Sequence, residues 1–254
     1  MSLTSVNFTR LEKAAVDNGF DLDRGRDGDD WLVFGSSHVS LQIWLAAVGE
    51  AQFAVAFSRS DVSDALAGMG HALPDPIPEG PVAALAANDL QELYRLVRRA
   101  FQFARSLPDE PLRAFLEKTA KLPRSTEAER LVVQRVGQDI FRDRLMDYWE
   151  GCCAITGLEV PELLRASHIK PWADCPTDSE RLDVFNGILL APHLDAAFDR
   201  GFISLADDGA VIVSPGLNIP ARKILGLTAS LRIQRLSVGH LKYLLWHRKY
   251  VFQR

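Results

Sequence analysis

The chain has 254 residues, 47% hydrophobic and 24% charged, which suffices for one large domain or two modest ones. Its three cysteines, Cys152, Cys153 and Cys175, form no C-x-x-C pair, which argues against a disulfide framework and against a Cys-rich zinc site, and a reducing cytoplasm is expected. No apolar run approaches the roughly 20 residues that span a bilayer, and the N-terminus lacks a signal-peptide core, which predicts a soluble chain with no membrane partner.

The net charge of −4 is unevenly spread. Residues 1–94 carry −9, residues 95–145 carry +5, residues 146–214 carry −8 and residues 215–254 carry +8. Two basic segments therefore flank an acidic one. Such a layout suits an enzyme that acts on phosphodiesters, although solvated Arg-rich helices explain the charge equally well.

In chain order, residues 4–18 read as a helix with Phe8, Leu11, Ala15 and Val16 on one face. RGRDGDD reads as a turn-rich loop. Residues 31–58 are rich in Val, Phe, Trp and Ile and predict two or three strands of a small antiparallel sheet. SDVSDALAGM has helical spacing. LPDPIPEGP, residues 73–81, holds four prolines and is the best linker candidate. The spacing predicts a long helix over 82–106, a shorter one in PDEPLRAFLEKTAKLP and a third from 125 onward. Thr126 and Glu129 form a capping-box pattern at the start of that third helix. CCAITGLEVPELLRASHI reads as two extended pieces around a turn, DVFNGILLAP as loop into strand, and HLDAAFDRGF as helix. ISLADDGAVIVSP carries an Asp-Gly hairpin signal. The tail VGHLKYLLWHRKYVFQR reads as a basic amphipathic helix.

The densest chemistry lies in RASHIKPWADCPTDSERLDVFNGILLAPHLDAAFDRG, residues 165–201. His168 falls on a strand, Asn186 at a loop-to-strand junction, and Asp195 and Asp199 at i and i+4 on one helix face. Two oxygen ligands at that spacing suit a hard divalent cation such as Mg²⁺ or Mn²⁺. A nearby imidazole would take a proton from water while the ion stabilises the leaving oxygen. Arg165 and Lys170 bracket His168 and, with Arg200, His247 and Arg248, are candidate nucleic-acid contacts. Trp172 reads as core packing, and the cysteines as small buried residues.

The run ASHIKPW…FNGILL…LDAAFDRGFIS resembles the HNH endonuclease superfamily, in the restriction-endonuclease-like branch with S/A-H-I-x-P-W and L-D/H-x-x-F-D-R-G motifs. The resemblance implies a ββα-metal fold with DNA lying across its helix. It implies His168 as general base, Asn186 as the central residue that holds the loop, and Asp195 and Asp199 as metal ligands. Ser167 stands where many members have a ligand, and His193 lies two positions before Asp195, so both are further candidates. No structural zinc is expected.

The fold class expected is α+β. A small N-terminal α/β domain with an antiparallel sheet occupies 1–80, a helical connector 81–122, and a C-terminal nuclease domain 123–254, with its motif core at 152–206. The expected function is metal-dependent hydrolysis of DNA in restriction or defence. The N-terminal domain is expected to meet a protein partner or a second copy. Two alternatives stay open: a non-catalytic DNA-binding or scaffold protein with a decayed HNH domain, and an RNA-directed or toxin nuclease.

Overall fold

A computed structural model describes residues 4–28, 30–49, 51–73, 77–228, 230–233 and 235–254. The chain divides into two compact units, Met1–Leu107 and Pro108–Arg254. Among the described residues it combines helices with antiparallel strands, an α+β composition.

The first unit opens with α1 (Ser5–Val16), whose first turn is capped by the Thr4 hydroxyl accepting the Asn7 N–H at 3.2 Å. Then come β1 (Leu22–Asp27), β2 (Trp31–Gly35), β3 (Ile43–Ala47), β4 (Phe53–Phe57), α2 (Ser60–Ala65), β5 (His71–Ala72), β6 (Ala83–Ala87) and α3 (Leu90–Ser106). The strands form one antiparallel sheet in the order β1-β2-β3-β4-β6-β5. Leu45 and Val55 on the strands and Leu93, Leu96, Val97 and Ala100 on α3 are fully buried, and α3 packs on β4 and β6.

Two expectations for this unit need correction. RGRDGDD is not wholly loop, because residues 22–27 form the charged edge strand β1. The helix expected from residue 82 begins only at Leu90, and Ala83–Ala87 pairs with β4, from Phe53↔Ala87 to Phe57↔Ala83. The proline stretch at 73–81 lies partly outside the described residues. Beyond it the chain re-enters the sheet as β6.

The second unit begins with α4 (Glu110–Thr119) and α5 (Glu127–Tyr148). The capping box is present: Glu129 N–H donates to the Thr126 hydroxyl at 3.2 Å, and Thr126 N–H donates to the Glu129 carboxylate at 2.9 Å. Then follow a 3₁₀ turn at Pro161–Leu163, β7 (Arg165–His168), a 3₁₀ turn at Trp172–Asp174, α6 (Asp178–Leu182), a 3₁₀ turn at Val184–Asn186, β8 (Gly187–Leu190) and α7 (Pro192–Asp199). The hairpin β9 (Ile203–Leu205) and β10 (Val211–Val213), α8 (Ile219–Ile224) and α9 (Val238–Tyr250) complete it. The residues after Cys152 form turns where an extended piece was expected. Cys153 is buried there, and its sulfur accepts the Ala191 N–H at 3.2 Å.

β7 and β8 are antiparallel, with His168 opposite Gly187 and Arg165 opposite Leu190. α5 packs on both strands, and α7 packs on β7. A two-stranded hairpin with a long connection thus lies between two helices, with the polar residues of 165–199 around it.

Candidate active site

β7 delivers Ser167 and His168, and α7 delivers Asp195 and Asp199. All four line one cavity of about 430 Å³, together with Arg165 and Trp172. Each position has a local cause. Pro171 ends the strand and starts the turn that carries Trp172. Pro192 sits at the first helical position of α7, where its missing N–H costs nothing. The i, i+4 spacing then puts both aspartates on one face.

His168 is held on three sides. Its ring stacks on Phe141 of α5, centroids 3.7 Å apart and planes within 15°. The Trp172 ring meets it edge-on at 5.6 Å and 88°. Nε2 lies 2.9 Å from the Arg181 carbonyl. A carbonyl can only accept, so Nε2 carries the proton and Nδ1 keeps its lone pair. Burial lowers the His168 pKa to about 4, with the Arg181 carbonyl opposing, so the ring is neutral at physiological pH.

Arg181 also braces the surrounding loop. Its Nε donates to the Trp172 carbonyl at 3.2 Å and its Nη1 to Asp178 at 2.9 Å, while Nη2 donates to the Cys175 carbonyl. Asn186 is fully buried and does not line the cavity. Its Nδ2 donates to the Lys170 and Glu180 carbonyls, both at 3.1 Å, and its Oδ1 accepts the Lys170 N–H at 2.8 Å. Asn186, which the resemblance implies as the residue that holds the loop, thus ties the loop between β7 and β8 to its own turn.

Asp195 and Asp199 form an electrostatically strained pair. Burial raises both pKa values. The charge of Asp195 raises Asp199 further, whereas the Ser167 hydroxyl lowers both, with help from Arg165 at Asp195 and Arg200 at Asp199. Ser167 is buried and donates to Asp199 Oδ1 at 3.2 Å. A divalent cation would relieve such a pair. Among the described residues no group of three or more His, Cys, Asp or Glu could hold an ion; at the cavity the carboxylates that could hold one are Asp195 and Asp199. That donor set fits a hard, largely hydrated ion such as Mg²⁺, which commonly uses one or two carboxylates plus water and substrate phosphate.

Of the remaining candidates, Arg165 and His247 line the cavity, and His193, Lys170, Arg200 and Arg248 do not. His193 is exposed in the first turn of α7 and does not line the cavity. Arg165 is exposed at the cavity, and Arg200 is exposed at the end of α7. Lys170 is engaged by Glu180 at 2.7 Å. Of the two tail candidates, His247 requires correction as a phosphate contact. His247 is 1% exposed. Its Nε2 donates to the Phe198 carbonyl at 3.1 Å, so Nδ1 accepts from the Ser204 hydroxyl at 3.0 Å. Burial lowers its pKa to about 4, so it offers a phosphate neither charge nor donor. Arg248 donates to the Leu205 carbonyl and to Asp207, each at 2.6 Å.

Sequence reasoning missed Phe141, the Arg181 carbonyl and the placement of Trp172, which is not core packing but a half-buried wall of the cavity. One signal was available for α5. Gly137 sits mid-helix, where a glycine is costly unless something packs against it. A Cβ there would lie 2.5 Å from the Trp172 ring.

Residues 153–206 match the family model described as HNH endonuclease. The match supports the HNH superfamily for this segment and a nuclease character for the unit that contains it. No curated protein matches the chain. Among the described residues no helix is long and apolar enough to cross a membrane.

Proposed function

We propose that residues 108–254 carry a metal-dependent endonuclease that hydrolyses DNA phosphodiester bonds. The observation that carries this reading is the contact of His168 Nε2 with the Arg181 carbonyl at 2.9 Å, which assigns the proton to Nε2. A neutral imidazole with Nε2–H committed to the Arg181 carbonyl and Nδ1 free lines the same cavity as the Asp195–Asp199 pair. His168 Nδ1 takes the proton from the attacking water, and Phe141 and Trp172 hold the ring to that task. Asp195 and Asp199 would hold a divalent ion, which would supply polarisation of the phosphoryl group and stabilisation of the leaving oxygen. Arg165, at the mouth, is the candidate contact for a flanking phosphate. Restriction or defence as the setting rests on the motif resemblance.

His168→Ala should lower plasmid nicking by about 10²–10⁴-fold, the usual contribution of general-base catalysis. Asp195→Ala should abolish Mg²⁺-dependent nicking while leaving DNA retention in a gel-shift assay largely intact. Full nicking by either variant removes the corresponding role. The reading as a non-catalytic DNA-binding protein draws on one observation: Ser167, a poor ligand, stands beside Asp199 where many members have a further ligand. DNA binding by the wild type without nicking in Mg²⁺ or Mn²⁺ would favour that reading.

A further inference from the structure

α7 has eight residues, and Asp199 is its last. Helices this short are not stable alone, and their ends fray first. Outside support at that turn would therefore steady a metal ligand there. The Gly201 and Phe202 N–H groups close the helix end on the Phe198 and Ala197 carbonyls, both at 2.8 Å, and the tail of the chain adds three donors around the same turn. His247 Nε2–H donates to the Phe198 carbonyl at 3.1 Å, Gln253 Nε2 to the Arg200 carbonyl at 2.7 Å, and the Gln253 backbone N–H to the Gly201 carbonyl at 2.9 Å.

Two packing features lock the same contact. The His247 ring stacks on Phe198, centroids 4.0 Å apart and planes within 10°. Gly201 adopts φ +72°, and a Cβ there would run into the Val251 carbonyl. Only glycine satisfies both the backbone angle and the close approach. His247 and Val251 also line the cavity that holds Asp195 and Asp199.

We propose that residues 247–253 are a clasp that positions the last turn of α7, and with it Asp199, for the divalent cation. His247 and Gln253 are its positioning residues, and both lie outside the segment that matches the nuclease family. The proposal rests on the metal reading of Asp195 and Asp199 given above. It replaces the role in DNA contact that the basic tail suggests for His247 with one in metal binding.

The test is Mn²⁺ affinity, followed by electron paramagnetic resonance on the full chain at a temperature where every variant is folded by circular dichroism. Gln253→Ala and His247→Phe should each weaken Mn²⁺ binding about tenfold, the usual cost of losing a group that orients a ligand. His247→Gln, which keeps a side-chain N–H for the Phe198 carbonyl, should recover part of the loss. A merely structural role would lower the thermal midpoint and leave the affinity of the folded protein unchanged. Wild-type affinity in folded Gln253→Ala and His247→Phe overturns the clasp alone. A wild type that binds no Mn²⁺ overturns the metal reading itself, and this role of the tail falls with it.

Discussion

Asp183 shows how the second unit treats a buried charge. It is 8% exposed. Its carboxylate accepts the Phe185 N–H at 2.9 Å, the Tyr243 hydroxyl at 2.8 Å and the Lys242 ammonium at 3.3 Å. The first bond caps the turn that ends in Asn186, and the other two come from α9. Tyr243→Phe should therefore destabilise the protein by about 1.5–3 kcal/mol, the value of a hydrogen bond to a charged group, as measured by urea unfolding. An unchanged midpoint would show that the Lys242 and Phe185 contacts suffice. At this scale the sequence made His168, Asn186, Asp195 and Asp199 legible because they lie within about thirty residues in a local strand–loop–helix pattern. It could not show that a backbone carbonyl sets the tautomer of His168, since a carbonyl has no residue signature. It also misled over His247, because a count of basic residues contains no burial.

At the scale of elements, α5 is the wall behind the site. It supplies Phe141 to the His168 ring and makes room at Gly137 for Trp172. In an open helix, Gly→Ala stabilises by about 1 kcal/mol. Here Gly137→Ala should destabilise by about 1–3 kcal/mol, because the new methyl overpacks against Trp172, and nicking should fall with the displaced wall. Denaturant unfolding beside the nicking rate checks both, and a stabilised variant would show that Trp172 has room to move. The start of α5 was legible because Thr126 and Glu129 act on neighbouring backbone. β1 and β6 were not. The edge strand LDRGRD is charged and interrupted by a glycine at a register shift, so its composition matches a loop. The alanines of β6 have high helix propensity, and only pairing with β4 makes them a strand.

Across the whole molecule, the two units differ in charge. Residues 1–107 carry 9 Lys and Arg against 14 Asp and Glu, and residues 108–254 carry 20 against 19. The second unit also contains three neutral histidines, His168, His240 and His247, each with its pKa lowered by burial to about 4. The unfolded chain binds protons at these rings near pH 6.5 and the folded chain does not. Their stabilising effect is therefore complete above pH 6.5 and is lost as the pH falls toward 4. For the fully buried pair, His240 and His247, the loss should approach about 1.4 kcal/mol per pH unit for each ring. Urea unfolding at pH 7.0, 6.0 and 5.0 measures it, and a flat profile would show that these rings are protonated in the fold.

The central claim is that His168 is the general base of a metal-dependent nuclease. It is tested most directly by nicking of supercoiled plasmid by wild type and His168→Ala, in EDTA, Mg²⁺ and Mn²⁺. The account predicts nicking that requires the metal and is lost in the variant while its circular dichroism stays that of the wild type. Metal-dependent nicking by folded His168→Ala at the wild-type rate would contradict it.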